Sequence, residues 1–411
     1  MSEELPAEIT ALLEEIDEFI RTEIGPLEEE GDNARFFDHR REYARTDFEA
    51  GGIPSAEWEA LLEEMMERAD RAGLWRFALP RELGGREGSN FAMAVVREHL
   101  NRLGIGLHND PQSEISMIGN FPTVILAHEF GTPAQREVFV QGALRREVGL
   151  AFGLTEPGHG SDATRLETTA RRDGDEWVID GVKRFNSGMH RASHDLVFAR
   201  TSGSPGEPLG ITAFIVPREA HGLSVDFYWW TFNMPTDHAE VTLKDVRVGD
   251  EAILGELDRG LALAQRFVHE NRIRQAASSL GAAAFCIDEA VKWAREREVW
   301  GKPLWQNQGI QFPLAELWTD CELVRGLVRK TAAALDRQHH MEVTHLVAMA
   351  NYRANRLACE AADRAMQTCG GMGYTRHMPF EHIYRHHRRY RITEGSEEVQ
   401  IRKVGYELFK R

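Results

Sequence analysis

Leu154-Thr155-Glu156-Pro157-Gly158-His159-Gly160-Ser161-Asp162 closes a strand-like run with a loop holding two glycines, two carboxylates and a hydroxyl near each end. Such a loop can bring backbone N–H groups and hydroxyl donors close to a flat, polar ligand. Taken alone it reads equally well as a β-turn in which Asp162 caps the next segment. The sequence around it changes period. Trp177-Val178-Ile179 leads to Asp180-Gly181, and Val182 to Phe185 resumes an extended run, which reads as a hairpin turning at Asp180-Gly181. Leu196 to Ala199, Ile211 to Val216 and the alternating Val241 and Leu243 read as further strands, and Ser202 to Gly210 as an exposed loop.

Helical periodicity lies on both sides. Before the loop, Leu12, Leu13, Ile16, Phe19 and Ile20 recur at helix spacing, and Glu57 to Ala72 continues in that style through Trp58, Leu61, Leu62, Met65 and Met66. After it, Leu280, Ala284, Ile287, Val291 and Ala294 form one stripe that Pro303 is expected to end. Gln311 to Leu335 starts another helix, with Pro313 in its first turn, and a third runs from about Val343 to Gln367. Helices of this length, apolar on more than one face, pack as an antiparallel bundle. The expected architecture is mainly α with a central β domain: a helical domain over 1–147, a small antiparallel β domain over 148–256, and a helical bundle over 257–411.

The composition suits a soluble globular chain: 411 residues, 42% hydrophobic and 28% charged. The 65 acidic residues against 49 Lys plus Arg give a net charge of −16, which disfavours bulk nucleic-acid binding. The longest apolar run, Leu280 to Ile287, is far too short to span a bilayer, and the acidic N-terminus lacks the cationic start of a secretory signal. Cys286, Cys321, Cys359 and Cys369 show neither zinc spacing nor the density of a disulfide framework, so a reducing, cytoplasmic setting is expected.

Three further stretches carry candidate chemistry. Gly181-Val182-Lys183-Arg184-Phe185-Asn186-Ser187-Gly188 is a sheet edge with an aromatic followed by a hydroxyl, and by itself could be any hairpin arm. Arg297-Glu298-Val299-Trp300-Gly301-Lys302-Pro303-Leu304, with Gln308, is adequately read as a helix end with a capping glycine and basic residues on the dipole. Gln367-Thr368-Cys369-Gly370-Gly371-Met372-Gly373-Tyr374 has three glycines where one would end a helix, which suits close approach of a pyrophosphate. It is followed by Ile392-Thr393-Glu394-Gly395-Ser396-Glu397-Glu398-Val399-Gln400.

In this order and at this separation, the four stretches resemble the acyl-CoA dehydrogenase family, and the likeness runs nearly the whole chain. The resemblance implies a helical N-terminal domain, a middle antiparallel β domain and a C-terminal four-helix bundle. It also implies FAD, held by Phe152, Leu154, Thr155, Ser161, Phe185 and Ser187 in the middle domain. Arg297, Gln308, Gln367, Gly370 and Gly371 match residues reaching the FAD of a neighbouring subunit, and Ser396 and Glu398 belong to the same implied cofactor set. FAD shared across a subunit boundary makes a homotetramer, or a dimer, the natural expectation. Ser161, Arg272 and Gly395 match substrate contacts, with Arg272 lining the acyl/CoA end of a cleft.

The implied activity is α,β-dehydrogenation of an acyl-CoA thioester to the trans-2-enoyl-CoA, as in lipid catabolism, with electron-transfer flavoprotein as the electron acceptor. Glu394 stands where many members carry the base. An acyl thioester's α C–H is a poor acid, so a carboxylate must wait in a dry cleft, where desolvation is expected to raise its pKa, while the β-hydride passes to flavin N5. Some members place the base near the start of the bundle instead. Asn271 aligns there and cannot usefully accept a proton, and the adjacent Glu270 is turned about 100° away on a helix.

Departures from the family pattern include His159, Asn186 before Ser187, and His386 where an Asp is common. Arg385-His386-His387-Arg388-Arg389 reads as a basic surface, with no metal site expected. Phe227-Tyr228-Trp229-Trp230 reads as an aromatic packing run in a loop between strands. Competing readings are an acyl-CoA oxidase or flavin monooxygenase of the same fold, or a non-catalytic partner subunit. Glu394, Thr155, Arg297 and Gly370-Gly371 together disfavour the last.

Overall fold

The computed structural model describes residues 5–110 and 115–410. Its principal elements are helices α1 (Ala7–Phe19), α2 (Ala56–Arg71), α3 (Asn90–Arg102) and α4 (Pro122–Phe130). Eight strands come next: β1 (Leu150–Gly153), β2 (Thr169–Asp173), β3 (Glu176–Ser187), β4 (His194–Arg200), β5 (Ile211–Pro217), β6 (Leu223–Tyr228), β7 (His238–Gly249) and β8 (Ile253–Leu254). The chain closes with α5 (Gly260–Glu296), α6 (Gln308–Leu335), α7 (Thr344–Cys369), α8 (Phe380–Tyr390) and α9 (Glu397–Lys410). It divides into a helical unit, Met1–Arg45 with Ala56–Asn120 and Asn271–Arg411, and a sheet unit, Thr46–Ser55 with Phe121–Glu270.

In the helical unit, α2 buries Trp58, Leu61, Leu62, Met65, Met66 and Ala69 at helix spacing, and Arg68 and Arg71 complement the dipole at its end. Ser89 caps α3 by accepting the Ala92 N–H. The C-terminal helices share one core in which alanines (Ala276, Ala283, Ala290, Ala354, Ala361) alternate with Leu280, Ile287, Leu317, Val324 and Leu357, so helix backbones approach closely. Helix α7 is the hub, packed against α6, α8 and α9. Buried polar groups fix its register. Asn351 donates to the Arg272 carbonyl (2.8 Å) and Asn355 to the Tyr390 carbonyl (2.9 Å), while the Ser279 hydroxyl donates to Asn355 (2.7 Å). All four cysteines are free and buried in this unit.

Two helix ends differ from expectation. Helix α5 stops at Glu296, ahead of Pro303, because Glu298–Val299 and Lys302–Pro303 pair across Trp300-Gly301, both with positive φ (48° and 74°), as a tight hairpin. Helix α6 begins at Gln308, so Pro313 falls in its second turn, where its missing N–H forfeits a single ladder bond.

The sheet unit holds one eight-stranded sheet in the order β6-β7-β3-β2-β4-β5-β8, with β1 alongside β4. Pairing is antiparallel except for β1–β4 and β2–β4. The expected turn at Asp180-Gly181 is not there, since β3 runs unbroken through it. The hairpin turns earlier, at Gly174-Asp175, where Asp173 pairs with Glu176 and Gly174 takes φ +62°. Gly181 serves a close crossing, as a Cβ there would lie 2.3 Å from the Thr168 hydroxyl oxygen. Asp180 accepts the amide of Asp245 (2.8 Å), which sits in a bulge of β7. The aromatic run is likewise not all loop, since Phe227 and Tyr228 end β6. Among the described residues no helix is long and apolar enough to cross a membrane.

Candidate active site

Glu394 lies in the turn between α8 and α9, and it and Gly395 both take left-handed backbone conformations (φ 57° and 89°). Several bonds hold this strained corner. The Thr393 amide donates to the Arg389 carbonyl (2.9 Å), the Glu397 amide to the Arg391 carbonyl (3.0 Å), and the Gln400 side chain to the Gly395 carbonyl (2.8 Å). Arg391 grips Glu397 through two bonds of 2.9 Å, which hold the Glu397 carboxyl below the usual carboxylate range. From α5, Arg272 Nε and Nη2 donate to the Glu394 carbonyl at 2.8 and 2.5 Å. The guanidinium fits only because Gly395 has no side chain, since a Cβ there would lie 2.7 Å from Nη2. Arg272, expected to line the acyl/CoA end of a cleft, is thus engaged with the turn that carries Glu394.

The Glu394 carboxylate is itself anchored. Asn271 Nδ2 donates to its Oε1 (3.2 Å), while Asn271 Oδ1 accepts from Arg274 Nη2 (2.9 Å). The hydrogen-bond network turns the Asn120 amide oxygen toward three guanidinium nitrogens of Arg274, at 3.0–3.2 Å. Burial lowers the pKa of Arg272, and the Glu394 charge opposes that shift. Glu270, the neighbouring carboxylate, is paired with Arg266 at 2.9 Å.

In the sheet unit, Glu156 anchors the loop after β1. Its carboxylate accepts the Glu167 and Thr168 amides (2.5 and 2.9 Å) and pairs with Lys183 Nζ at 2.7 Å, both side chains being buried. Burial alone would raise the Glu156 pKa, but Lys183 and the amide donors outweigh it and leave it below the usual value. Asp162 accepts the Thr164 amide (3.2 Å), the capping role that a plain turn requires. The Arg184 amide donates to the Thr155 carbonyl (2.8 Å), which ties the loop to β3 just before Phe185. Phe185 is 46% exposed with φ +63°, and the exposed Ser187 hydroxyl lies 3.2 Å from His238 Nδ1.

Between them Asn186 faces inward and donates to the buried Asp195. Burial pushes the Asp195 carboxyl up to about 7. This pairing accounts for the amide at position 186. The structure therefore brings Thr155, Phe185 and Ser187 to one end of the sheet. Ser161 stands exposed farther along the loop. Half-buried Phe152 stacks its ring on Phe267 at 4.0 Å, and half-buried Leu154 joins the same apolar cluster.

Arg297, Gln308, Gln367, Gly370, Gly371 and Glu398 are exposed on the helical unit, and Ser396 is half-buried. The three glycines after α7 separate by role. Gly370 takes φ +61°, and a Cβ on Gly373 would lie 2.4 Å from the Met366 carbonyl oxygen. Gly371 has ordinary φ and open space, so nothing within the chain demands glycine there. The His386/His387 pair is not surface: both rings are buried, and burial keeps His386 well below its usual pKa. Among the described residues no group of three or more His, Cys, Asp or Glu could hold a metal ion.

Comparison with known proteins identifies the family to which these domains belong. Family models for the acyl-CoA dehydrogenase N-terminal, middle and C-terminal domains match residues 34–147, 151–246 and 258–409. The chain is 34% identical over 360 residues to 3-(aryl)acrylate reductase of Clostridium sporogenes (85% of this chain, 90% of that protein). It is 33% identical over 339 residues to the mitochondrial short-chain specific acyl-CoA dehydrogenase of Bos taurus (82% of this chain, 80% of that protein). The structure of butyryl-CoA dehydrogenase from Megasphaera elsdenii superposes with a TM-score of 0.80 at 27% identity, covering 100% of both chains.

This chain belongs to the acyl-CoA dehydrogenase family. Members are FAD-binding flavoproteins, and this one is an oxidoreductase with FAD as its cofactor. The residues present fit the group. Phe185 offers an exposed aromatic face, Ser187 two residues on offers a hydroxyl, Thr155 adds another on the loop bonded to Arg184, and Gly371 keeps backbone uncovered where no packing within the chain requires it. Asn271, Arg274, Asn120, Asn351 and Gln400, which shape the Glu394 turn, went unrecognised in sequence. Asn271 stood out only as an unsuitable base, and Gln400 only as the last residue of the Ile392–Gln400 stretch.

Proposed function

We propose that this dehydrogenase-family member desaturates the Cα–Cβ bond of an acyl-CoA thioester, with Glu394 as the base that takes the α-proton. What supports this most directly is the Glu394 carboxylate, held in a strained turn by Arg272 and Gln400 and anchored at Oε1 by Asn271. A base pinned in one orientation loses little entropy when the α-carbon arrives. When bound, FAD accepts the hydrogen and electron pair that leave Cβ. Thr155, Phe185 and Ser187 would hold its flavin, with Phe152, Leu154 and Ser161 around them, and Ser396 and Glu398 complete the contacts on the helical unit. Arg297, Gln308, Gln367, Gly370 and Gly371 would reach the FAD of a second copy, which makes a homotetramer, or a dimer, the working assembly. Ser161 and Gly395 would border the thioester, and Arg272 would serve it by fixing the turn.

The same chemistry run in reverse, reduction of a 2-enoyl or arylacrylyl thioester, is favoured by specific relatives. They are the 3-(aryl)acrylate reductase and, at 30% identity, the caffeyl-CoA reductase-Etf complex subunit CarC of Acetobacterium woodii. The latter also supports electron-transfer flavoprotein as the redox partner. Purified protein should be yellow, and a panel of saturated CoA thioesters mixed without air should bleach it. Glu394→Gln should retain FAD and thioester yet reduce by several orders of magnitude more slowly in single-turnover stopped flow. Near-normal reduction of that variant would remove Glu394 from the role. Bleached enzyme reoxidised by arylacrylyl-CoA, with no bleaching by any saturated thioester, would select the reductive reading.

A further inference from the structure

We infer that Asn271 is a positioning residue that presents the Glu394 carboxylate to the substrate, an assignment resting on the base role proposed above. A neutral amide at this place on α5 can do two things that a carboxylate cannot. It donates a hydrogen bond to an ionised partner, and it adds no competing charge. Asn271 is 4% exposed and its Nδ2 reaches Glu394 Oε1 at 3.2 Å. Its amide cannot turn over without loss, because Arg274 Nη2 donates to Oδ1 at 2.9 Å and the same guanidinium is held by the Asn120 amide oxygen at 3.0–3.2 Å. The donor edge is therefore fixed toward Glu394 by a relay of Asn120, Arg274 and Asn271. The backbone of the base is fixed separately by Arg272 and Gln400. Main chain and carboxylate are held by different residues, so the two functions can be separated by mutation.

Among the described residues, the charged and titratable groups around the turn include Arg272 on the Glu394 carbonyl, Arg274 behind Asn271, Glu397 paired with Arg391 and Arg356, and, on α8, Arg389 and the buried His386, which feels the Arg274 charge. None is replaced in Asn271 variants, and Arg274 loses only its bond to Oδ1, so a shifted pH profile reports the loss of the Asn271 amide. A donor to the ionised carboxylate favours the active, deprotonated base. Removing it must move the acid limb of the reduction rate to higher pH.

The test is anaerobic stopped-flow reduction by a bleaching thioester across pH, on holoenzyme with Asn271→Ala, Asn271→Asp or Arg274→Met. Asn271→Ala should lower the limiting rate roughly ten- to a hundredfold with little change in thioester affinity, and raise the acid limb. Asn271→Asp, nearly the same size, should raise that limb further, because two carboxylates at this separation share a proton. Arg274→Met should reproduce the alanine effect in weaker form. If Asn271→Ala fails to retain FAD, the aspartate variant decides. Wild-type rates and pH limbs in these variants, alongside an inactive Glu394→Gln, would overturn the positioning role and leave the base standing. An active Glu394→Gln would instead overturn the base itself.

Discussion

Lys183 carries its charge into the sheet interior with 0% of its surface exposed, and Glu156 is its partner there. Breaking such a pair from one side strands the other charge. Lys183→Met should therefore cost about 3–5 kcal/mol in urea unfolding, and Lys183→Met with Glu156→Gln should recover much of that loss. Gly395→Ala meets both φ +89° and the Arg272 guanidinium at 2.7 Å. It should destabilise by about 1–3 kcal/mol and slow flavin reduction, since relief can come only by moving Arg272 or Glu394. Neither effect was legible from sequence. Lys183 and Glu156 are 27 residues apart and read as two ordinary charges, because only the loop's return onto β3 makes them partners. Glu394 drew notice in sequence because it stands where many family members carry the base, whereas the residues that grip it are amides and arginines with no pattern of their own.

Among the elements, α8 shows how a helix can mislead in one dimension. Its Arg-His-His-Arg-Arg run looks like a cationic surface, yet His382, His386, His387 and Tyr390 face inward, and the arginines lie at the margin. His39 stacks on His382 with ring centroids 4.5 Å apart. Burial, then the Arg45 and Arg385 charges, lower the His39 pKa to about 4, and burial above all keeps His108 at about 4. The unfolded chain takes up these protons near pH 6.5 while the folded one does not, so stability is fully present above about pH 6.5 and falls as the pH drops toward 4. His39 alone should contribute about 3 kcal/mol to that loss, and His39→Phe, which keeps the stacked ring, should flatten the pH dependence of the urea midpoint. The helices of the core were legible because their stripes repeat. Leu357→Ala in α7, a residue 2% exposed, should cost about 2–5 kcal/mol. The β2–β3 hairpin was misplaced because Asp180-Gly181 and Gly174-Asp175 are both good turn dipeptides. Only the crossing of Thr168 over Gly181 decides between them.

At the scale of the whole molecule, the order of helical, sheet and helical segments was readable from periodicity, but assembly was not. Trp300 and Tyr374 are 94% and 89% exposed on the hairpin and the glycine turn that carry Arg297 and Gly370-Gly371. Under the shared-cofactor reading these segments meet a second copy. Arg297→Ala should then lose FAD and tetramer together in light scattering, and a fully flavinated mutant tetramer would refute the sharing. The four thiols sit at 0–4% exposure, and burial holds Cys359 and Cys369 up at about 11. Folded protein should therefore ignore maleimide dyes, so a single cysteine introduced on the surface would label cleanly without removing any native one. Dye uptake by the unmodified chain would in turn count molecules whose helical core has opened.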